Sequence, residues 1–291
     1  MTQQDVATRG IVIKTSPKTT TAANSNSQYL GDRFRLRIVP SCQVLNYCHE
    51  RDPLTTKPDI GIVEDATEDL PFTSYECEKI AEIYQVSPEK RLRGKAAAIS
   101  AYKKLLRQVH VLHTSHHASS NLNNPLASVL QLADGSLTLG ELVTPGWRLP
   151  NLHEVFISCC ETNFTVTEIS DNFLSIAVGF LCAGARSVVS TQWSVEDLAS
   201  AMLAILYYER RDQNLSRSAA LQQAQKTLRG LTGAQIRVMY FEDLDRYFQE
   251  RYGKDTEAYA KAFHRLESCC QNNSPFAHPY WWAGFLSQGL A

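Results

Sequence analysis

Short apolar runs recur along the chain, separated by longer stretches whose apolar positions return at helical spacing. In RFRLRIVP, Phe34, Leu36 and Ile38 alternate with arginines, the pattern of a half-exposed strand near a sheet edge. Asp59 to Val63, Val109 to His113, Ser128 to Leu132, Ser187 to Gln192 and Tyr280 to Leu286 read as further strands. VFISCCETN, residues 155–163, reads as a buried strand that surfaces where two cysteines appear. Phe72, Tyr75, Ile80 and Ile83 predict a helix over 72–84, and Gly94 opens a second one through Leu106. Thr138 to Val143 gives a short helical turn. Asp171 to Cys182 gives a strongly apolar helix with Gly184 at its C-terminal cap, and Ser194–Tyr208 and Ser216–Arg229 give two more. Alternation of strand and helix implies a parallel sheet with right-handed crossovers. The more polar stretch 231–275 carries a mixed-charge helical pattern and is expected to form a helical insertion on one flank of the core. The Trp281–Trp282 pair is expected to fill the end of that core. Residues 1–28, rich in Thr, Ser, Gln and Asn, are expected to be a flexible segment or to pair as a single edge strand through Ile11–Ile13.

Composition narrows the partners. With 291 residues and 44% hydrophobic content the chain can bury a sizeable core. A net charge of −1 gives no general electrostatic case for nucleic acid or an anionic membrane, and the basic run Lys90, Arg91, Arg93, Lys95 reads as a solvated approach to a helix. No apolar run reaches the ~20 residues of a membrane span. Eight cysteines could pair, but a chain of this size needs no staples and its start, MTQQDVATRG, lacks signal-peptide character. The expectation is reduced thiols in a cytoplasm, with neither nucleic acid nor membrane as partner.

Candidate chemistry centres on Cys160. In open, mostly parallel sheets, sites form outside the carboxyl ends of the strands. Cys160 would stand at such an end, and His116 and His117 would leave the same edge if their strand runs parallel and nearby. A thiol is only a few per cent ionised at neutral pH, so an imidazole that takes or balances its proton activates it. Against this stands the fact that a cysteine in a buried strand is more often a small hydrophobe, the reading given to Cys159. His113, inside its strand, reads as a satisfied packing residue. Asp171 and the pair Ser194/Asp197 fit helix caps. Cys42, Cys48 and His49 lack zinc spacing, Arg93–Ala96 lacks the frame of a phosphate loop, and neither G-x-S-x-G nor H-E-x-x-H occurs. No cofactor and no metal are expected.

The blocks VLHTSHHA, LQLADGSLTLGEL, VFISCCETN, DNFLSIAVGFLCAGARSVVSTQWSVED and PFAHPYWWAGFLSQG resemble, in that order, the CHAT domain, a caspase-like peptidase domain related to separase and often found behind TPR repeats in bacteria. The resemblance implies a caspase-like three-layer α/β sandwich, with a mostly parallel central sheet and helices on both faces, over residues 29–291. It also implies a cysteine endopeptidase acting on a protein or peptide substrate. In this reading Cys160 is the nucleophile and His117 its partner, preferred to His116 because His113 and His117 reproduce the family's histidine spacing. The oxyanion falls to the backbone N–H groups of Cys160 and Ala118, and Asp197, with Glu196 and Asp171, falls to the pocket for a basic side chain. Two family glycines are replaced, by Ala118 and Asn163, and alanine would be strained if the turn needed a positive φ. The alternatives are a module that keeps this fold for binding or signalling without catalysis, and an unrelated doubly wound ligand-binding domain. No internal repeat is evident, so a TPR-type regulator is expected on another chain.

Overall fold

A computed structural model describes residues 7–8, 11–14, 29–121, 123–158 and 175–290. Its strands are β1 (Ala7–Thr8), β2 (Ile11–Lys14), β3 (Arg35–Ile38), β4 (Ile60–Glu64), β5 (Arg91–Arg93), β6 (Val111–Ser115), β7 (Ala118–Ser119), β8 (Val129–Leu132), β9 (Gly135–Thr138), β10 (Glu154–Ile157), β11 (Ser187–Thr191) and β12 (Phe285–Gly289). The helices are α1 (Leu30–Arg33), α2 (Cys42–His49), α3 (Pro71–Tyr84), α4 (Ile99–Leu106), α5 (Leu139–Leu142), α6 (Ile176–Ala183), α7 (Asp197–Asp212), α8 (Arg217–Gly230), α9 (Gly233–Ile236), α10 (Glu242–Tyr252) and α11 (Glu257–Gln271).

The main sheet runs β1-β2-β3-β12-β11-β10-β6-β4-β5. Its centre, from β5 to β11, is parallel throughout, and β12 pairs antiparallel to β11. β3 lies parallel to β12, and β2 antiparallel to β3. Strand periodicity divides the interior in two. Ile60, Ile62, Val111, Phe156 and Val189 enter one core with α3, α7 and α8; Val63, Leu112, Val155, Ile157 and Val188 enter the other with α2, α4 and α6. The result is a three-layer α/β sandwich with a mostly parallel central sheet and helices on both faces. β7, β8 and β9 form a separate antiparallel sheet. Among the described residues no helix is long and apolar enough to cross a membrane.

Several elements depart from their expected bounds for local reasons. Gly94 adopts φ +48, and a Cβ there would stand 2.6 Å from Glu68, so residues 94–96 make a tight 3-10 turn and α4 starts only at Ile99. The basic run is not a solvated helix approach: Arg91 and Arg93 lie in β5, where Arg91 reaches Glu78 at 2.9 Å and Glu64 at 3.2 Å and Arg93 reaches Glu64 at 3.2 Å, and Lys90 and Lys95 sit in the 3-10 turns on either side. Residues 279–281 form a 3-10 turn begun by Pro279, with the His278 ring accepting from Tyr280 N–H, and the last strand is pushed on to 285–289. Trp193 explains the nearby glycine. Its indole N–H donates to Tyr280 O at 2.9 Å, and a Cβ at Gly284 would stand 2.9 Å from its ring.

Candidate functional site

β4, β6, β10 and β11 end together at one edge of the sheet. β4 connects outward to β5, while β6 and β10 lie on its other side, so the chain reverses its course along the sheet between β4 and β6. Crevices in open α/β sheets open at such reversals. Register fixes the neighbours: Glu64 lies opposite Ser115, and Ile157 opposite Thr114. Ser158, the last described residue after β10, donates to Thr114 O at 2.9 Å and accepts from the Ser115 hydroxyl at 3.2 Å. Cys159, Cys160, Asn163 and Asp171 lie outside the described residues.

The two histidines after β6 part company. His116 is fully buried, with Nε2 2.7 Å from the Thr114 hydroxyl and Nδ1 3.0 Å from His117 O; burial pushes its pKa down to about 4, so it is neutral. His117 keeps 21% of its side chain exposed and sets Nε2 3.0 Å from both oxygens of Asp69. Asp69 belongs to the turn after β4. That turn is knitted by Asp65, which has φ 41, and whose carboxylate accepts from the N–H groups of Asp69 at 2.9 Å and Leu70 at 3.1 Å. Burial works to raise the Asp69 pKa, but hydrogen bonds from Thr67 and His117 outweigh it and hold the carboxyl below its usual range. Asp69 was not among the residues singled out from sequence. The signal was present: an acidic turn directly after a strand that neighbours the histidine's own.

Ala118 begins β7 and does not have a positive φ, so the replaced glycine creates no strain. Gln131 donates to His117 O at 2.9 Å, which makes Ala118 and Leu130 a non-hydrogen-bonded pair. The Ala118 N–H therefore points away from β8. His113 is buried between the rings of Phe156 and Tyr208, at centroid distances of 5.5 and 5.3 Å. Its Nε2 lies 3.0 Å from Glu76 Oε1 but out of hydrogen-bond alignment, so His113 is a packing residue without the satisfied ring expected of it.

Asp197 and Glu196 stand at the start of α7, after β11. The spacing predicts Ser194 as cap with Asp197 completing a box, whereas the observed N-cap is Glu196, which accepts from Ala199 N–H at 3.3 Å and grips Arg265 of α11 at 2.7 and 3.0 Å. Asp197 serves another helix. Pro71 opens α3 with no cap from its own neighbours, and Asp197 supplies one across space, taking Phe72 N–H at 2.9 Å and the Thr73 hydroxyl at 3.2 Å. Both its oxygens are engaged. Burial, with Glu76 and Glu196 nearby, pushes its pKa up to about 7 although part of its surface stays accessible. At α6 the N-cap is Ser175, accepting from Val178 N–H at 3.3 Å, a role the sequence suggested for Asp171.

The sequence profile of the CHAT domain matches residues 7–290. A search of curated proteins finds no match. Among solved structures, the chain is similar to the Arg-specific cysteine proteinase gingipain R (RGPB), with a TM-score of 0.41 at 9% identity, over 79% of this chain and 45% of that one. The described residues all lie within the profile match, and the chain belongs to the CHAT domain family.

Proposed function

We propose that this CHAT domain is a cysteine endopeptidase in which Cys160 is the nucleophile and His117, oriented by Asp69, is its acid–base partner. The observation that carries the reading is the pairing of β6 with β10: the turn bearing His117 and the segment leading to Cys160 depart from adjacent parallel strands at one edge. With Asp69 on Nε2, Nδ1 is the ring nitrogen assigned to proton exchange with the thiol. The sulfur attacks the scissile carbonyl carbon, the C–N bond breaks, and the imidazolium protonates the departing amine. Water, deprotonated by His117, then hydrolyses the thioester. The N–H of Ala118, turned away from its ladder, is suited to hold the oxyanion, with the N–H of Cys160 assigned the second place, a contact worth roughly 3 kcal/mol per donor.

The substrate is a protein or peptide. Glu68 and Asp69 at the rim favour a basic side chain in it, and Asp171 remains a candidate for the same pocket; Asp197, spent on the start of α3, and Glu196, held by Arg265, serve it only if those contacts open. Regulation by a TPR-type protein on a separate chain and residence in a reducing cytoplasm complete the reading; six described cysteines are free thiols.

The test is labelling with an electrophilic peptide probe together with cleavage of protein substrates. The expected result is selective modification at Cys160, with both labelling and cleavage lost in Cys160→Ala while its thermal unfolding is unchanged. Equal turnover by Cys160→Ala refutes the assignment. A wild-type protein that neither labels nor cleaves is instead a binding module.

A further inference from the structure

A second cleft lies on the far side of the molecule. It has a volume of about 480 Å³ and is walled by the end of α2, the segment 143–148 and the end of α6, with Arg51, Arg148 and Cys182 facing it. Leu149 donates to Ala183 O at 2.8 Å, and Ala185 and Arg186 lead directly into β11, so the cleft sits at the amino-terminal edge of the parallel strands, opposite His117. We propose that this cleft binds the phosphoryl group of a small-molecule ligand.

Arg51 and Arg148 carry the argument. Neither guanidinium has an ion pair or a hydrogen bond to a described residue. Arg186 does not line the cleft but acts on Arg51 from behind, its Nε donating to Cys48 O at 3.3 Å, so two guanidiniums face the cavity with a third positive charge nearby. The carboxylate on the wall, Glu50, accepts from the Asn46 amide at 2.6 Å along α2 and pairs with neither arginine. Burial, with repulsion from Arg148 and Arg186, holds the Arg51 pKa below its ordinary value, although the neighbouring thiols of Cys48 and Cys182 act the other way. Half-buried Arg51 beside exposed Arg148, neither ion-paired to a described residue, keeps two like charges together, and a bound anion removes their repulsion and the cost of burying Arg51. Paired guanidinium forks match phosphate oxygens, and the charge suits a divalent anion better than a single carboxylate. The volume falls in the range of small-ligand sites, so inorganic phosphates and nucleotides both fit.

The competing account is structural. Arg51 follows the C-terminus of α2 and lies against the end of α6, where a Cβ on Gly184 would come within 2.9 Å of its Nη1, so it could serve the two helix dipoles and no ligand. Thermal unfolding of the full chain with pyrophosphate, AMP or acetate separates the two, alongside peptide mapping of the rate at which iodoacetamide modifies Cys182, an exposed thiol on the cleft wall. Saturating pyrophosphate or AMP is expected to raise Tm by about 3 °C and to slow Cys182 modification severalfold, while acetate does neither. Arg51→Gln and Arg148→Gln are expected to abolish both effects without lowering the Tm of the unliganded protein. Tighter binding of AMP than of pyrophosphate identifies a nucleotide as the source of the phosphoryl group, and the reverse identifies a free phosphate. The proposal falls if neither phosphate compound protects or stabilises, if acetate matches them, or if the variants destabilise the unliganded protein and still respond to phosphate.

Discussion

His117 sets Nε2 3.0 Å from both oxygens of Asp69, and in the proposed dyad this carboxylate favours the tautomer with Nε2–H toward Asp69 and assigns Nδ1 to the thiol. An asparagine at 69 can offer either an acceptor or a donor, so the ring is no longer held to one state. Asp69→Asn is expected to lower kcat/KM and the rate of probe labelling at Cys160 by about 10²-fold. Tm should hold, because 59% of the Asp69 side chain is exposed and the turn is tied by Asp65. A labelling rate equal to wild type would remove Asp69 from the site. Asp197 behaves differently, because its carboxyl is raised from 3.8 to about 7 in the fold. Between those values the native state keeps a proton that the unfolded chain has released, so stability falls as pH rises through the window. Asp197→Asn retains an acceptor for Phe72 N–H without an ionisable group. Its Tm should gain on wild type between pH 4 and pH 7 and stay ahead above that; a constant difference across the series would show that Asp197 does not titrate there. The acidic turn holding Asp69 is visible in the sequence, but which residue each of the two carboxylates meets is not. Asp69 meets His117 across 48 residues and Asp197 meets Phe72 across 125, and neither separation has a periodicity to betray it.

At the scale of the element, pattern predicts existence and type well, and capping poorly. The alternation in RFRLRIVP and the apolar run before Cys160 became β3 and β10, and the apolar positions over 72–84 became α3. The spacing Ser194–Asp197 matches a capping box in the chain, yet two tertiary partners redirect it: Arg265 draws Glu196 into the cap, and the uncapped start of α3 claims Asp197. Glu154, at the first position of β10, shows what such partners can do for an element's place in the fold. Burial would raise its pKa, but Arg217 at 2.6 Å and Arg211 at 3.1 Å, with the Tyr207 hydroxyl, bring it down to about 2. These partners come from α7 and α8, so one carboxylate ties both helices to the central strand. Glu154→Gln leaves two arginines facing a neutral group and is expected to cost about 3 kcal/mol in urea unfolding at neutral pH. Since the native pKa is depressed, this contribution is complete above the ordinary glutamate value of 4.5 and is lost as pH falls toward 2, where wild type and variant should converge. A loss that does not shrink in acid would mean that packing and not charge holds the helices there.

The whole molecule rests on one sheet serving two cores, and β11 puts the two in adjacent residues. Val188 and Val189 are both fully buried; Val188 enters the core with α6 and Phe180, and Val189 the core with α7 and Phe156. Neighbours in sequence are thus strangers in space, because successive side chains leave a strand on opposite faces. Each truncation to alanine removes buried hydrocarbon and should cost about 2 kcal/mol. With no shared side-chain partners the two losses should add to within about 0.5 kcal/mol in Val188→Ala/Val189→Ala, despite the peptide bond between them. Cooperativity makes the sharper demand. If the layers were separate folding units joined by a common wall, each variant would weaken its own side and unfolding would resolve into two steps. A sheet whose central strands donate side chains to both cores cannot lose one face and keep the other, so a single transition with an unchanged urea slope is expected for both variants and for the double mutant. Coincident far-ultraviolet circular dichroism and tryptophan fluorescence curves measure this directly. A biphasic curve in either single variant would show that the face opposite the truncation folds without its partner.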